Sequence, residues 1–197
     1  EFSRYVPDPY RTGERHPTQV VSLTVAGGSE VDLREGLARG IARNLARNLA
    51  NEPSNVLDPP ELARRAEAMA AEVGLEFECL DVPAMEKLGM GALLAVTQGS
   101  EIPARFIILR HRGAAPEAPT LALIGKAVTF DTGGISLKPS ADMGRMKGDM
   151  AGGAAVIGAM RAIAQLQIPA NVLGLVPASM NMPDGRAWRP GDVITSM

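Results

Sequence analysis

Between Ile124 and Met150 the chain reads IGKAVTFDTGGISLKPSADMGRMKGDM, and Lys126, Asp131, Lys138 and Asp149 within it stand where chemistry is possible. Carboxylates are hard oxygen donors suited to Mg, Mn or Zn. Asp131 comes after a strand-like apolar run, at the kind of strand end where α/β sheets gather ligands. Gly133-Gly134 lets the backbone turn sharply and come close to a bound group. Asp149 opens a helical run rich in small residues, where the helix dipole favours an anion. Three uses fit these residue types: ordinary loop decoration, a phosphate cradle, or the ligands of a metal centre.

Spacing removes the phosphate cradle. That loop needs Gly, four residues, Gly-Lys and then Ser or Thr, whereas Gly125-Lys126 has Thr120 at the first position and Ala127 at the last. A GxGxxG dinucleotide loop is also absent from the sequence. A metal centre makes a demand on Lys126, which must be neutral to ligate. An ordinary lysine titrates near 10.4, so neutrality at pH 7 costs about 4–5 kcal/mol. A dication one bond away offsets that cost; a salt bridge does not, because it favours the charged form. The plain alternative is an ion pair between Lys126 and Asp131, and spacing alone leaves both open. Histidine offers little: His16 lies in an irregular leader and His111 in a turn-like His111-Arg112-Gly113 segment. Neither a histidine-based zinc site nor a Ser-His-Asp triad is indicated.

The elements that must position these residues are those of an α/β fold. With 197 residues, 46% apolar and 21% charged, the chain has the composition of one globular domain or part of one. A net charge of −2 provides no field to gather nucleic acid or anionic lipid. No apolar stretch approaches the ~20 residues needed to span a bilayer, and no signal peptide is seen, so a soluble, cytoplasmic protein is expected. The lone Cys79 reads as a small buried hydrophobe.

Residues 1–30 are irregular, with a strand-like run from Gln19 to Val25, and read as a linker or the tail of a preceding domain. A helix is predicted from Asp32 to Ala50, with Leu33, Leu37, Ile41, Leu45 and Leu49 as its apolar stripe. Arg39, Arg43 and Arg47 form a solvated stripe on it. Asp58, Pro59 and Glu61 start a second helix that Gly74 stops. Strands are predicted at Leu75–Leu80, Phe106–Leu109, Leu121–Ile124 and Val172–Val176, with a short helix near Met85. Ala92–Val96 is either strand or helix, and a long helix runs from Asp149 to Leu166. Strands alternating with helices predict a mixed, mostly parallel sheet flanked by helices.

At this point the sequence resembles a known family. Gly125–Pro139 resembles the first metal-binding signature of the leucine (cytosol) aminopeptidases, and the likeness runs on through Met146–Met150, Asn181–Gly185 and Arg189–Asp192. Upstream, Asn48–Asn55 and Gly89–Ser100 resemble further segments of that family, so the likeness covers most of residues 31–197, read as the first part of a metallopeptidase catalytic domain. The resemblance implies two divalent metal ions, Mn or Zn, and peptide substrates with leucine or another apolar residue at the amino end. It implies Lys126 as a neutral amine ligand, Asp131 as a carboxylate shared by both ions, and Asp149 as a ligand that also meets the substrate amine. Lys138 would polarise the scissile carbonyl, and Met146 would line the pocket for the N-terminal side chain. The ions would activate a shared water.

Two departures qualify the likeness. Ala127 stands where the family usually has Gly. A later family motif, Asn-Thr-Asp-Ala-Glu-Gly-Arg, carries two more carboxylate ligands and the arginine that positions a bicarbonate base; this sequence does not include it. The expectation is therefore an incomplete catalytic domain, inefficient by itself, belonging to a hexameric whole. The competing expectation is a non-catalytic assembly or interaction module. Asp184 and Asp192 could substitute as ligands, but their Pro- and Gly-rich setting reads as turn formation.

Overall fold

A computed structural model of the chain describes Thr24 and residues 26–197. The strand-like run Gln19–Val25, apart from Thr24, and His16 lie outside the described residues.

Helix α1 spans Glu30–Asn51 and begins with a reciprocal cap, in which the Ser29 hydroxyl accepts from the Asp32 N–H and the Asp32 carboxylate accepts from the Ser29 N–H. Helix α2, Pro59–Val73, starts as its sequence predicts: the Asp58 carboxylate accepts from the Glu61 N–H at 2.8 Å, and Gly74 ends it in the left-handed region at φ 76°. Then follow β1 (Glu76–Leu80), α3 (Val82–Lys87) and α4 (Gly91–Thr97). The Ala92–Val96 run is thus helical. Strands β2 (Arg105–Arg112), β3 (Thr120–Ile124) and β4 (Ala127–Asp131) lead to a 3-10 helix at Met143–Gly148. Helix α5 (Ala151–Gln165) and strand β5 (Asn171–Asn181) complete the order.

All five strands form one sheet, and β5 is its axis. On one side it pairs antiparallel with β2, which pairs antiparallel with β1; on the other it pairs parallel with both β3 and β4. The sheet is therefore mixed, and the expected predominance of parallel pairing holds only on the β3–β4 side. Lys126 and Asp131 lie on that side. Strands β3 and β4 are two halves of one edge, broken at Gly125-Lys126, and a register shift at Thr129 lets β4 follow the end of β5.

Helices α2 and α5 pack on the sheet, and α1 packs on α5. Leu62, Ile107, Leu109, Met160 and Val176 are fully buried at this junction, each contributing about 1.5–3 kcal/mol of transfer free energy. The predicted stripe of α1 holds at its C-terminal end, where Leu49 is buried and Leu45 packs on the core, and fails over the first half. Ala38, Ala42 and Leu49 are buried, while Leu33, Leu37 and Ile41 remain exposed. The reason is close helix approach: a methyl group at Gly158 of α5 would stand 2.7 Å from the Ala42 carbonyl oxygen, so only small residues fit that seam. Hydrophobicity chose one stripe of α1; distance to α5 chose another.

Cys79 on β1 is a half-buried free thiol, pushed above its ordinary range by that burial. Among the described residues no helix is long and apolar enough to cross a membrane.

Candidate functional site

The break between β3 and β4 places Lys126 by backbone fit. A Cβ at Gly125 would lie 2.3 Å from the Gly152 carbonyl oxygen, and one at Gly153 would lie 2.6 Å from Ala127 Cβ. Glycines on both partners therefore let the start of α5 rest on the strand. In that contact the Gly153 N–H donates to the Lys126 carbonyl at 2.7 Å, satisfying one of the orphan donors at a helix start. Lys126 and Asp149, which precedes α5, are drawn together by this seat.

Asp131 is the last residue of β4 and lies opposite Asn181, the last of β5. Thr132 donates twice to the Asn181 carbonyl, from its N–H at 2.9 Å and from its hydroxyl at 2.8 Å. The chain then turns through Gly133 (φ +92°) and Gly134 (φ +71°), a conformation that L side chains rarely adopt. Returning, the Lys138 N–H donates to the Thr132 carbonyl at 2.8 Å. This closed loop carries the Lys138 ammonium back over Asp131.

The side chains of Lys126, Asp131, Lys138 and Asp149 form one cluster. Lys126 Nζ lies 2.6 Å from Asp149 Oδ2 and 4.0 Å from Asp131 Oδ2. Lys138 Nζ donates to Asp131 Oδ2 at 2.6 Å and to the Asp131 carbonyl at 3.3 Å, and reaches Met146 Sδ at 3.4 Å. The other oxygen of Asp131 accepts from the Gly133 N–H at 2.9 Å and from Asn181 Nδ2 at 2.7 Å. Burial pushes the Asp131 carboxyl upward. The donors from Lys138, Gly133 and Asn181 outweigh that and hold it at about 2. It is ionised at neutral pH.

Each residue singled out for a role thus lies in or beside the cluster. Lys126 does not take Asp131 as its close partner; Asp149 holds that place. Asp149 itself caps the end of the 3-10 helix rather than standing inside α5, whose first residue is Ala151. Asp184 and Asp192 accept from the N–H groups of Arg186 and Arg189 at 2.8 and 2.9 Å, both locally. His111 meets the Ile168 carbonyl at 2.9 Å, away from the cluster.

Sequence alone assigns Asn181 no role. Its signal lay in the parallel pairing of β4 with β5, since the ends of two parallel strands converge on one point. The sequence likewise assigns no role to Lys147.

The donors suit a divalent cation. Asp149 Oδ2 is buried and makes no aligned hydrogen bond, despite its nearness to Lys126. Two carboxylates converging on one amine are a donor set for a hard or borderline metal. Among the described residues no three His, Cys, Asp or Glu side chains gather. The cluster thus offers two carboxylates and one amine, enough to hold an ion and few for two.

The fold is thus an α/β domain in which an amine and two carboxylates meet beside the end of β4. Residues 44–197 match the cytosol aminopeptidase family, catalytic domain, and the chain belongs to that family. It is 48% identical over 185 residues to a probable cytosol aminopeptidase of Azoarcus sp. (strain BH72), covering 94% of this chain and 37% of that protein. It is 51% identical over 201 residues to a probable cytosol aminopeptidase of Solibacter usitatus (strain Ellin6076), covering 100% of this chain and 42% of that one. The chain therefore spans about two fifths of these curated relatives' length. A solved structure, the bottromycin maturation enzyme BotP in complex with Mn, superposes with a TM-score of 0.86 at 40% identity, over 96% of this chain and 40% of that one.

Proposed function

We propose that the chain supplies the amine–carboxylate part of a metal-dependent aminopeptidase site acting on peptides with an apolar N-terminal residue. The observation that carries this reading is the convergence of Lys126, Asp131 and Asp149, with the Lys126 amine within 4.0 Å of both carboxylates. In this reading those three side chains hold divalent ions, Mn or Zn; the similar bottromycin maturation enzyme in complex with Mn supports Mn. Such ions supply a Lewis acid and an activated water. Lys138 contributes a fixed positive charge, 36% exposed and so open to a solute, to polarise the scissile carbonyl and stabilise developing negative charge. Met146, in contact with Lys138, lines the pocket for the N-terminal side chain. Asn181 and the Gly133 N–H hold Asp131 so that its free electron pairs keep one direction.

Two ions need more carboxylates than this cluster provides, so the chain by itself binds metal but turns over slowly. The test joins Mn²⁺ titration by calorimetry with leucine p-nitroanilide hydrolysis in added Mn²⁺ or Zn²⁺. Binding with little turnover is the expected result. Rapid, chelator-sensitive turnover would show that other ligands complete the site, and no binding would favour a non-catalytic module.

A further inference from the structure

Helix α1 has no basic residue in its last turn, although helix C-termini favour a cation beside their unpaired carbonyls. The cation arrives from elsewhere in the chain. Lys147 Nζ donates to the carbonyl of Asn51, the last residue of α1, in a partly buried contact spanning 96 positions. The Asn51 side chain donates to the Arg47 carbonyl at 2.7 Å, and the Glu52 N–H donates to Asn48 O at 3.1 Å. Two of the terminal carbonyls are thus answered, that of Asn48 locally and that of Asn51 by Lys147 from across the fold. A Cβ at the neighbouring Gly148 would stand 3.9 Å from the Ala50 carbonyl, so the 3-10 helix lies directly on the end of α1.

That 3-10 helix carries Met146 and ends at Asp149, whose N–H donates to the Met146 carbonyl at 3.2 Å. Its own start is weakly held: Asp142 is left-handed at φ 60° and provides no side-chain cap. The segment that ends at Asp149 lies against β4 and is flanked by the seat of α5 and by the Lys147 contact with the end of α1. We infer that Lys147 is a positioning residue: by capping α1 across the fold, it fixes the segment that presents Asp149 and Met146 to the cluster. The inference rests on the metal reading above for its consequence, but the anchor itself is testable without metal.

The experiment compares the unaltered chain with Lys147→Met and Lys147→Arg. Amide hydrogen exchange in the metal-free proteins reads the anchor. In Lys147→Met, exchange over residues 143–150 should quicken about tenfold, while Ile107 and Leu109 in the sheet stay as protected as before. Mn²⁺ titration by electron paramagnetic resonance reads the consequence. Affinity should fall about 10–100-fold in Lys147→Met, as for other groups that orient a ligand, and Lys147→Arg should restore most of it. Unchanged exchange over 143–150, or protection lost equally across the sheet, would overturn the anchor. Locally faster exchange with unchanged Mn²⁺ affinity would overturn the positioning role. If the unaltered chain takes no Mn²⁺, the metal reading falls, and exchange alone decides whether Lys147 holds the segment.

Discussion

Lys126 Nζ lies 2.6 Å from Asp149 Oδ2, joining the break between β3 and β4 to the residue that precedes α5. Sequence spacing favours Asp131 as the partner, since it is five positions away and Asp149 is 23. The glycine contacts reverse the order. They bring the start of α5 onto the strand so closely that the distant carboxylate becomes the near one. Replacing Lys126 with Met should leave Asp149 without its ammonium partner and remove a ligand from the cluster. Mn²⁺ affinity, measured by calorimetry, should drop at least about tenfold. Equal affinity in both proteins would show that Lys126 is a surface pair and no ligand.

Lys138→Ala should leave Mn²⁺ affinity near that of the unaltered chain. In protein competent for leucine p-nitroanilide hydrolysis, kcat should fall on the order of 10²–10³-fold, the usual loss for one preorganised transition-state donor. Steady-state kinetics beside a metal titration separates the two effects; unchanged kcat would remove Lys138 from the chemistry.

Gly125→Ala places a methyl group 2.3 Å from the Gly152 carbonyl oxygen, a backbone atom that cannot swing aside. The strain should cost about 1–3 kcal/mol. Melting followed by circular dichroism should show Tm lower by several degrees, at roughly 2–4 °C per kcal/mol for a domain of this size. Because α5 must lift, Mn²⁺ affinity should fall with it. An unaltered Tm would mean that the β3–β4 break is loosely packed.

Asp131 provides a pH test in the metal-free protein. Its carboxyl is held at about 2, below its ordinary value of 3.8. A depressed acid contributes stability that is fully present above the unfolded value and is lost as pH falls through the folded one. Asp131→Asn should therefore cost on the order of 2 kcal/mol at pH 5–7, and the difference should shrink between pH 4 and pH 2. Urea denaturation at stepped pH reads this directly; a constant difference across that range would contradict the assignment.

Asn181→Ala removes one donor to Asp131 Oδ1, made at 2.7 Å, and leaves the main-chain pairing of β5 intact. Mn²⁺ binding should weaken about 10–100-fold with little loss of fold stability. A variant that binds as tightly as before would limit Asn181 to a packing role.

Much of this protein was written in local sequence. Asp58, Pro59 and Gly74 bound α2 because a cap acts within one turn of chain, and the apolar runs that became β2, β3 and β5 needed no knowledge of their neighbours. The residue types of Lys126, Asp131, Lys138 and Asp149 were equally plain, since ligand chemistry belongs to the side chain itself. Tertiary structure decided what depends on distance between remote backbones. The face that α1 buries follows from how near α5 can come at Gly158, not from where leucines recur. The partner of Lys126 follows from glycine contacts between β3–β4 and α5. Asn181 and Lys147 act through pairings 50 and 96 positions long. No local pattern marks such residues, because their role exists only once two distant ends of secondary structure have been set side by side.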